Sequence, residues 1–322
     1  MRKSSFDFVI DGSFSDFDHF TETAKAWDLD FYQLEKGAFA GSLKQRGFAQ
    51  AQLGEAKFSR SLEQHGASPQ GLRTFVIQAP GVPPLKWRGY DTCQKDLLIF
   101  PGNAELYSLS QAGFHIFTYS IRESALAAAG ERLGMPQIED FLNSSVEVVT
   151  LSDTWWRRLL TAYRRVLHSE PDELLKAGEP DLLWTMEFHM ASMLVEAIME
   201  SVPIQLPSPG SAVRAKAMRT AMELVNDCRQ HPITVEMLCV ETGVKARTLQ
   251  YAFQECYGMS PKQWLKLRSL NKVKKDLRSS DPALSGVADI ANKWGLWHMG
   301  QLAKDYRMTF GELPSETLGR AG

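Results

Sequence analysis

The sequence lacks the features that mark several large classes of protein. It has four cysteines in 322 residues and no CxxC pair, and a chain of this length can bury a sufficient core without disulfides. No run approaches the roughly 18 uncharged apolar residues of a membrane-spanning helix. The N-terminus also lacks the long apolar core and small-residue cleavage site of a secretory signal. These absences predict a cytoplasmic protein with reduced thiols and no membrane contact.

Motifs of catalysis and of metal or nucleotide binding are missing as well. The chain contains no HExxH, GxSxG, GxGxxG or GxxxxGKS pattern. A metal-binding β barrel needs two histidines near each other with a carboxylate a few residues on, whereas His65, His115 and His168 each stand alone. We therefore predict no catalytic residue, no metal site, no cofactor and no enzymatic activity.

Positive charge is scarce in most of the chain and concentrated in its last third. Residues 211–322 contain 17 lysines and arginines against 11 aspartates and glutamates, a net charge of +6. Residues 1–210 contain 19 against 27, a net charge of −8. A basic module joined to an acidic one is expected when only one part meets a polyanion.

The first two thirds of the chain change pattern near residue 121. Up to that point, short alternating or aromatic-rich runs are separated by glycine and proline at about ten-residue spacing, which predicts a small β sandwich or barrel. From residue 122 to 202 the apolar periodicity is helical. Its last helix, at 181–199, contains four methionines and is the better candidate for a dimer surface. The predicted strands are 39–45, 49–55, 72–78, 95–100, 105–109 and 115–121.

Three prolines and a glycine between Val202 and Gly210 forbid a continuous helix and predict a domain boundary. We place an N-terminal domain at 1–202, a linker at 203–211 and a C-terminal helical domain at 212–322. The fold class is accordingly α+β. The N-terminal domain is expected to sense a small molecule or to hold a homodimer together.

The C-terminal domain begins with a helix-turn-helix unit at about 234–257. Thr234 can cap a short helix, Gly243 breaks it, and a second helix starts near residue 246. Leu249 faces inward on that second helix. The outward face then contains three side chains that suit a major groove, because Arg pairs with guanine, Gln pairs with adenine and Tyr contacts a thymine methyl or a phosphate. They are Arg247, Gln250 and Tyr251.

A second unit of the same kind follows at about 286–307, after a long basic helix that includes Lys272, a candidate phosphate contact. Gln301 and Lys304 are the best candidate DNA contacts of this unit, and His298 stands where its second helix begins. Gly300 lowers helix propensity, and Asp305 is expected to place a negative charge near phosphates.

Two helix-turn-helix units joined by one basic helix are a specific arrangement. Residues 215–318 resemble the AraC/XylS family of transcription regulators. The resemblance implies that both recognition helices enter successive major-groove segments of promoter DNA, and that RNA polymerase is a candidate partner. The residues that match the family signature are Gly243, Leu249, Phe253, Gly258, Ser260, Pro261, Arg268, Leu277, Ile290, Ala291, Gly295, Phe310, Gly311 and Pro314.

A second resemblance covers the start of the N-terminal domain. The run from Trp27 to Leu34, followed by Gly37 and Phe39, is similar to the regulatory domain of the ethanolamine-operon-regulator branch of this family. That similarity implies a cupin-like barrel. Candidate effector contacts among its aromatic residues are Trp87, Tyr90 and Tyr107, although aromatic strand residues are more often core.

Two functions remain open from the sequence. The first is a sequence-specific DNA-binding transcription regulator controlled by its N-terminal domain. The alternative is a small-molecule-binding or enzymatic cupin-like protein whose helical C-terminal tail binds partners.

Overall fold

The computed structural model describes residues 6–24, 27–87, 90–100, 106–170, 182–203, 212–227, 231–282 and 284–320. The chain divides into two compact units. The first unit consists of Met1–Phe31, Ala40–Ser59 and Gln64–Leu206. The second consists of Tyr32–Phe39, Arg60–Glu63 and Pro207–Gly322, so two short N-terminal segments fold with the C-terminal part of the chain.

Two antiparallel β-sheets form the N-terminal part. The larger has the strand order β1-β3-β4-β11-β6-β9-β12-β13, and the smaller has the order β2-β5-β10-β7-β8. The strands are β1 (Phe8–Phe14), β2 (Asp28–Gln33), β3 (Gly41–Gly47), β4 (Ala51–Phe58), β5 (Leu62–Ala67), β6 (Arg73–Gln78), β7 (Lys86–Trp87), β8 (Tyr90–Asp91), β9 (Asp96–Ile99), β10 (Leu106–Leu109), β11 (Phe114–Ile121), β12 (Val148–Thr150) and β13 (Val202–Pro203).

The centre of the larger sheet explains why these segments become strands. β11 pairs with β4 along its whole length, so that Tyr119 lies opposite Leu53 and Phe117 opposite Glu55. Alternate residues of a strand point to opposite faces, and Leu53, Phe117 and Tyr119 are fully buried. All six predicted strands are present. The sequence pattern did not indicate β1, β2 and β5, the last of which contains the fully buried charged residue Glu63.

Among the described residues, five helices accompany this sheet. They are α1 (Phe17–Thr23), α2 (Glu123–Leu133), α3 (Ile138–Asn143), α4 (Asp153–His168) and α5 (Leu182–Met199). Four of them share a core with one face of the sheet, whereas Phe20 of α1 packs against Phe58 on the opposite face, which lines an apolar cavity. The dimer surface predicted on α5 stays a prediction, but the four methionines of the helix do not form an exposed face for it. Met190 and Met193 are buried in the core of the first unit, and Met186 and Met199 pack against that core. The methionines therefore fill the interior of their own unit.

The C-terminal part of the second unit is helical throughout the described residues. Its helices are α6 (Ala212–Asp227), α7 (Val235–Thr242), α8 (Ala246–Tyr257), α9 (Pro261–Ser279), α10 (Val287–Lys293), α11 (Met299–Phe310) and α12 (Pro314–Gly319). Two short-helix and long-helix pairs, α7–α8 and α10–α11, stand on either side of α9. The predicted α+β class, with a two-sheet β domain and two helix-turn-helix units, is confirmed.

Several other predictions meet the structure only in part. Of the predicted linker at 203–211, Pro203 belongs to β13 and pairs with Val149, and the rest lies outside the described residues. Cys93, Cys239 and Cys256 take part in no disulfide among the described residues, and Cys228 lies outside those residues. Within the ranges that the structure covers, no helix combines the length and apolarity needed to cross a bilayer.

Candidate DNA-binding surface

The first helix-turn-helix unit is built by local sequence signals. The hydroxyl of Thr234 accepts the Met237 N–H at 3.3 Å and caps α7. Gly243 ends the helix with φ +65°, a left-handed conformation that favours glycine. One face of α8 is then buried through Leu249, Ala252 and Phe253. This anchoring fixes which side chains of α8 face solvent.

The exposed face of α8 contains the three predicted base-reading residues. Arg247, Gln250 and Tyr251 are all exposed. The Arg247 guanidinium donates to the Tyr251 hydroxyl at 3.0 Å and lies 5.6 Å from the centroid of its ring. The pair pre-orders two long side chains one turn apart on a solvent face, which lowers the entropy cost of contacting DNA.

The connecting helix α9 begins at a capping box. Ser260 accepts the Gln263 N–H at 3.3 Å, and the Gln263 side chain accepts the Ser260 N–H at 3.2 Å. Lys272 lies on this helix but is half-buried. Its ammonium lies 5.5 Å from the ring centroid of Tyr32 and 5.8 Å from that of Trp294. The structure therefore places Lys272 against aromatic rings, whereas Lys262 on the same helix is exposed.

The second helix-turn-helix unit repeats the architecture with different chemistry. Leu302, Tyr306 and Phe310 anchor α11, and Gln301 and Lys304 are exposed on its other side. His298 is the residue before the first turn of α11 and is also exposed. The Gln301 amide donates to Asp305 at 2.9 Å. One of the two candidate polar side chains of this helix is therefore already engaged.

Asp305 does not present a charge to phosphates as expected. It is buried, and it accepts the Lys266 ammonium at 2.5 Å. Burial raises the pKa of Asp305, but the hydrogen bonds from Lys266 and Gln301 outweigh burial and hold this pKa below its ordinary value. The expectation differed from the structure because the partner of Asp305 comes from tertiary packing. Lys266 lies on α9, and residue spacing within α11 cannot reveal its position.

An exposed tryptophan beside α11 was missed by the sequence analysis. Trp297 precedes His298, and 69% of its surface is exposed. Large aromatic side chains usually bury themselves. Periodicity gave no signal, since Trp297 lies in the turn between α10 and α11 rather than on a helical face. Trp264 and Trp294, in contrast, are buried.

The first unit contains an apolar cavity between the two sheets. The volume of the cavity is about 50 Å³. The walls include Phe31, Phe58, Phe100, Phe114 and Trp87.

Of the three predicted effector contacts, only Trp87 is placed at this cavity. Its indole N–H is buried and has no hydrogen-bond partner among the described residues. Tyr90 does not line the cavity, and its hydroxyl lies 3.3 Å from Asp96. The side chain of Tyr107 lies outside the described residues.

A carboxylate in the cavity wall brings together residues that are isolated in the sequence. Glu55 is buried and lies 2.6 Å from His115 Nε2 and 2.7 Å from His168 Nε2. Burial raises the pKa of Glu55, but the hydrogen bonds from His115 and Lys57 prevail and bring it to about 2. In the part of the chain that the structure covers, no group of three or more His, Cys, Asp or Glu residues could hold a metal ion.

Comparison with known proteins identifies this architecture. A family model described as a helix-turn-helix domain matches residues 238–320. The chain is 32% identical over 197 residues to a probable thc operon regulatory protein of Rhodococcus erythropolis, a match that covers 61% of this chain and 57% of that protein. It is 28% identical over 131 residues to XylDLEGF operon transcriptional activator 1 of Pseudomonas putida, covering 41% of this chain and 38% of that one. The chain thus spans little more than half of these relatives at most.

A solved structure adds a match to the C-terminal part. It is a probable AraC family transcriptional regulator from Rhodopseudomonas palustris CGA009, 39% identical, with 33% of this chain and 96% of that chain covered and a TM-score of 0.30. Residues 238–320 match a helix-turn-helix domain, and the chain is similar to transcription regulators of the AraC/XylS type.

Proposed function

We propose that this protein regulates transcription by binding a specific double-stranded operator through α8 and α11. The observation that carries the proposal is the exposed Arg247, Gln250 and Tyr251 face of α8, anchored from behind by Leu249 and Phe253. Arg and Gln can each form two hydrogen bonds to one purine edge in the major groove. The first recognition helix therefore reads bases directly.

The second recognition helix has a supporting role in this proposal. Gln301 and Lys304 are its DNA contacts, with His298 beside them at the start of α11. Lys304 suits a phosphate, because a lysine neutralises backbone charge at any sequence. Lys272 contributes positive potential rather than a direct contact, since it is half-buried against two aromatic rings.

The N-terminal unit is proposed to sense a small effector in its cavity. The walls favour a flat or mostly apolar molecule, and the unpartnered Trp87 indole N–H favours one that carries a hydrogen-bond acceptor. A second copy of the chain is the proposed partner of this unit, supported by the partly exposed Trp184 stacked on Phe188. RNA polymerase is the proposed further partner at a promoter. We also propose a cytoplasmic location, since that is where the polymerase and the promoter are.

Selection from random duplexes tests the DNA-binding role. Full-length protein is incubated with a library of random double-stranded DNA, bound sequences are recovered, and affinity for the winner is measured against scrambled DNA over a salt series. We expect one sequence to be enriched, with affinity that falls steeply with salt because lysine and arginine release phosphate counterions. Binding that is salt-sensitive but equal on the winner and on scrambled DNA contradicts the proposal.

The effector site is tested separately with Trp87→Phe, which keeps the ring and removes the N–H. Small aromatic compounds with and without a hydrogen-bond acceptor are screened by thermal shift on both proteins. Acceptor-bearing compounds should stabilise the wild type more than the variant, whereas compounds without an acceptor should stabilise both equally. Equal stabilisation of the two proteins by every compound excludes Trp87 as a ligand contact.

A further inference from the structure

Within the second unit, a buried carboxylate joins the first recognition helix to the connecting helix. Glu63 has no exposed surface. One of its oxygens accepts from the Tyr257 hydroxyl at 3.2 Å and from the Arg268 guanidinium at 2.9 Å. The other accepts from the Trp264 indole at 2.7 Å. Tyr257 is the last residue of α8, so Glu63 fixes the end of the first recognition helix against α9.

Residues 32–39 contact the C-terminal end of the second recognition helix, α11. The last carbonyls of any helix lack partners within the helix. In α11 the Gly37 N–H donates to the carbonyls of Met308 and Thr309 at 3.0 and 3.1 Å. The Gln33 side chain donates to the Thr309 carbonyl at 2.5 Å. Gly37 adopts φ +111°, a conformation that only glycine accepts readily, so this contact is specified by sequence.

The same short segment is tied to the connecting helix. The side chain of Asn271 accepts the backbone N–H of Gln33 at 2.8 Å and donates to its carbonyl at 3.0 Å. One residue earlier, the Tyr32 ring centroid lies 3.8 Å from the Arg268 guanidinium carbon. Both N-terminal segments therefore meet on α9, and each reaches on to one recognition helix.

These residues sit next to the walls of the effector cavity along the chain. On β2, Phe31 lines the cavity of the first unit and Tyr32 is the next residue. On β5, Gln64 lines the cavity and Glu63 precedes it. Neighbouring strand residues point to opposite faces. The two strands that contribute to the cavity wall thus continue into the segments that hold α8 and α11.

We propose that Glu63 and the Tyr32–Phe39 segment are positioning residues for DNA binding, which set the spacing of the two recognition helices. This inference rests on the proposed function, because spacing matters only if both helices contact one operator. Each helix is already packed through its own buried face, so packing alone does not explain why each is also bonded to one of the two N-terminal segments. A protein that contacts two successive major-groove segments gains sequence specificity when the distance between its two recognition helices is fixed.

The test uses full-length protein, the selected operator, its two segments as separate duplexes, and an operator with one base pair inserted between the segments. Glu63→Gln keeps the side-chain shape and removes the charge that Arg268 faces. Asn271→Ala is the second variant and changes no charge. Glu223→Gln, at an exposed position on α6, is the matched control.

We expect Glu63→Gln and Asn271→Ala to weaken binding to the intact operator by tenfold or more and binding to either single segment by less than threefold. The inserted base pair should cost the wild type at least tenfold and the two variants less than threefold. Glu223→Gln should stay within twofold of the wild type on every duplex. A loss of stability alone lowers binding to all duplexes equally and does not alter the penalty of the insertion.

Two results overturn the inference. One is binding of both variants to the intact operator within twofold of the wild type, and the other is an equal loss on intact and single-segment duplexes. If Glu63→Gln does not fold, Asn271→Ala and the double variant Glu63→Gln with Arg268→Gln, which leaves no unpaired buried charge, decide the question by the same measurements. If the wild type selects no sequence at all, the proposed function fails as well, which distinguishes the two failures.

Discussion

The two recognition helices are each packed through one buried apolar face, but their exposed faces carry different side chains. On α8, Arg247, Gln250 and Tyr251 are exposed, and Arg247 donates a hydrogen bond to Tyr251 on the same face. On α11, Gln301 is bound to Asp305, and the neighbouring positions are Met299, Gly300 and Ala303. The comparison teaches that a repeated fold does not imply a repeated set of exposed side chains, because the buried face alone fixes the position of each helix.

The largest expected effect is the loss of base readout from α8. Arg247→Ala should weaken operator binding by about 1–3 kcal/mol, since a bidentate contact to guanine contributes that much discrimination. Binding to scrambled DNA should change little, and folding should not change because the side chain is exposed. Equilibrium titrations of the operator and of its single-base variants measure both effects.

Gln301→Ala is the matched substitution on α11. It should reduce the favourable free energy of binding to the same operator by less than about 0.5 kcal/mol, because the Gln301 amide already donates a hydrogen bond to Asp305. If the two alanine variants lose equal affinity, the difference between the helices disappears. If Arg247→Ala weakens operator and scrambled DNA alike, Arg247 contacts the backbone and base readout passes to Gln250 and Tyr251.

The second effect concerns the ion pair between Asp305 on α11 and Lys266 on α9. Asp305→Asn should lower the free energy of unfolding by about 1 kcal/mol, a modest value because the Lys266 side chain is partly exposed. The pKa of Asp305 is lowered in the folded protein. Its contribution to stability is therefore fully present above the unfolded pKa of about 3.9 and is lost as the pH falls through the lower folded value.

Urea unfolding of the wild type and the Asn variant between pH 7 and pH 2 checks this sign. The difference in stability should be constant from pH 7 to about pH 5 and should shrink below about pH 4. A difference that grows on acidification contradicts the lowered pKa. Stronger operator binding by the Asn variant would show that Asp305 restrains Gln301.

The third effect separates phosphate contacts from base contacts. Lys304→Ala should weaken binding to all duplexes by a similar factor, of less than about 1 kcal/mol, and should reduce the slope of log affinity against log salt by about 0.9. Salt titrations on operator and scrambled DNA measure the slope. A sequence-dependent loss would make Lys304 a base reader and would bring α11 closer to α8 in function.

The smallest effect is expected at Gly300. A Cβ added there meets no atom within 4 Å, and the residue is exposed on a regular helix. Gly300→Ala should therefore stabilise the protein by about 0.5 kcal/mol, measured by urea unfolding, and leave operator affinity unchanged. A drop in affinity would show that the backbone of α11 approaches DNA closely at this position.

The parts that sequence predicted are those with local causes. Thr234, Ser260 and Gly243 begin or end helices through contacts within a few residues, and the buried face of each helix follows from spacing. The two-sheet N-terminal domain was predicted for the same reason, because its strands follow from short alternating runs between turn residues. The assignment of base contacts stays a prediction.

The parts that sequence missed depend on residues far apart in the chain. Glu63 and Arg268 are 205 positions apart, and no periodicity links them. Glu55, His115 and His168 look isolated for the same reason, although β4, β11 and α4 bring them together. The interpretation of Asp305 failed because its partner Lys266 lies on another helix. Such pairs are fixed by tertiary packing, which propensity and spacing do not encode.

The division of the second unit into three stretches of chain has a consequence for biosynthesis. Tyr32–Phe39 and Arg60–Glu63 leave the ribosome before Pro207–Gly322 is made. At roughly 5–20 residues per second, the early stretches wait on the order of ten seconds for α8, α9 and α11 to emerge. A nascent chain can complete its β-sheets in that interval, but it cannot assemble its DNA-binding unit. The second unit is therefore completed only after α8, α9 and α11 have emerged, long after its first two stretches were made.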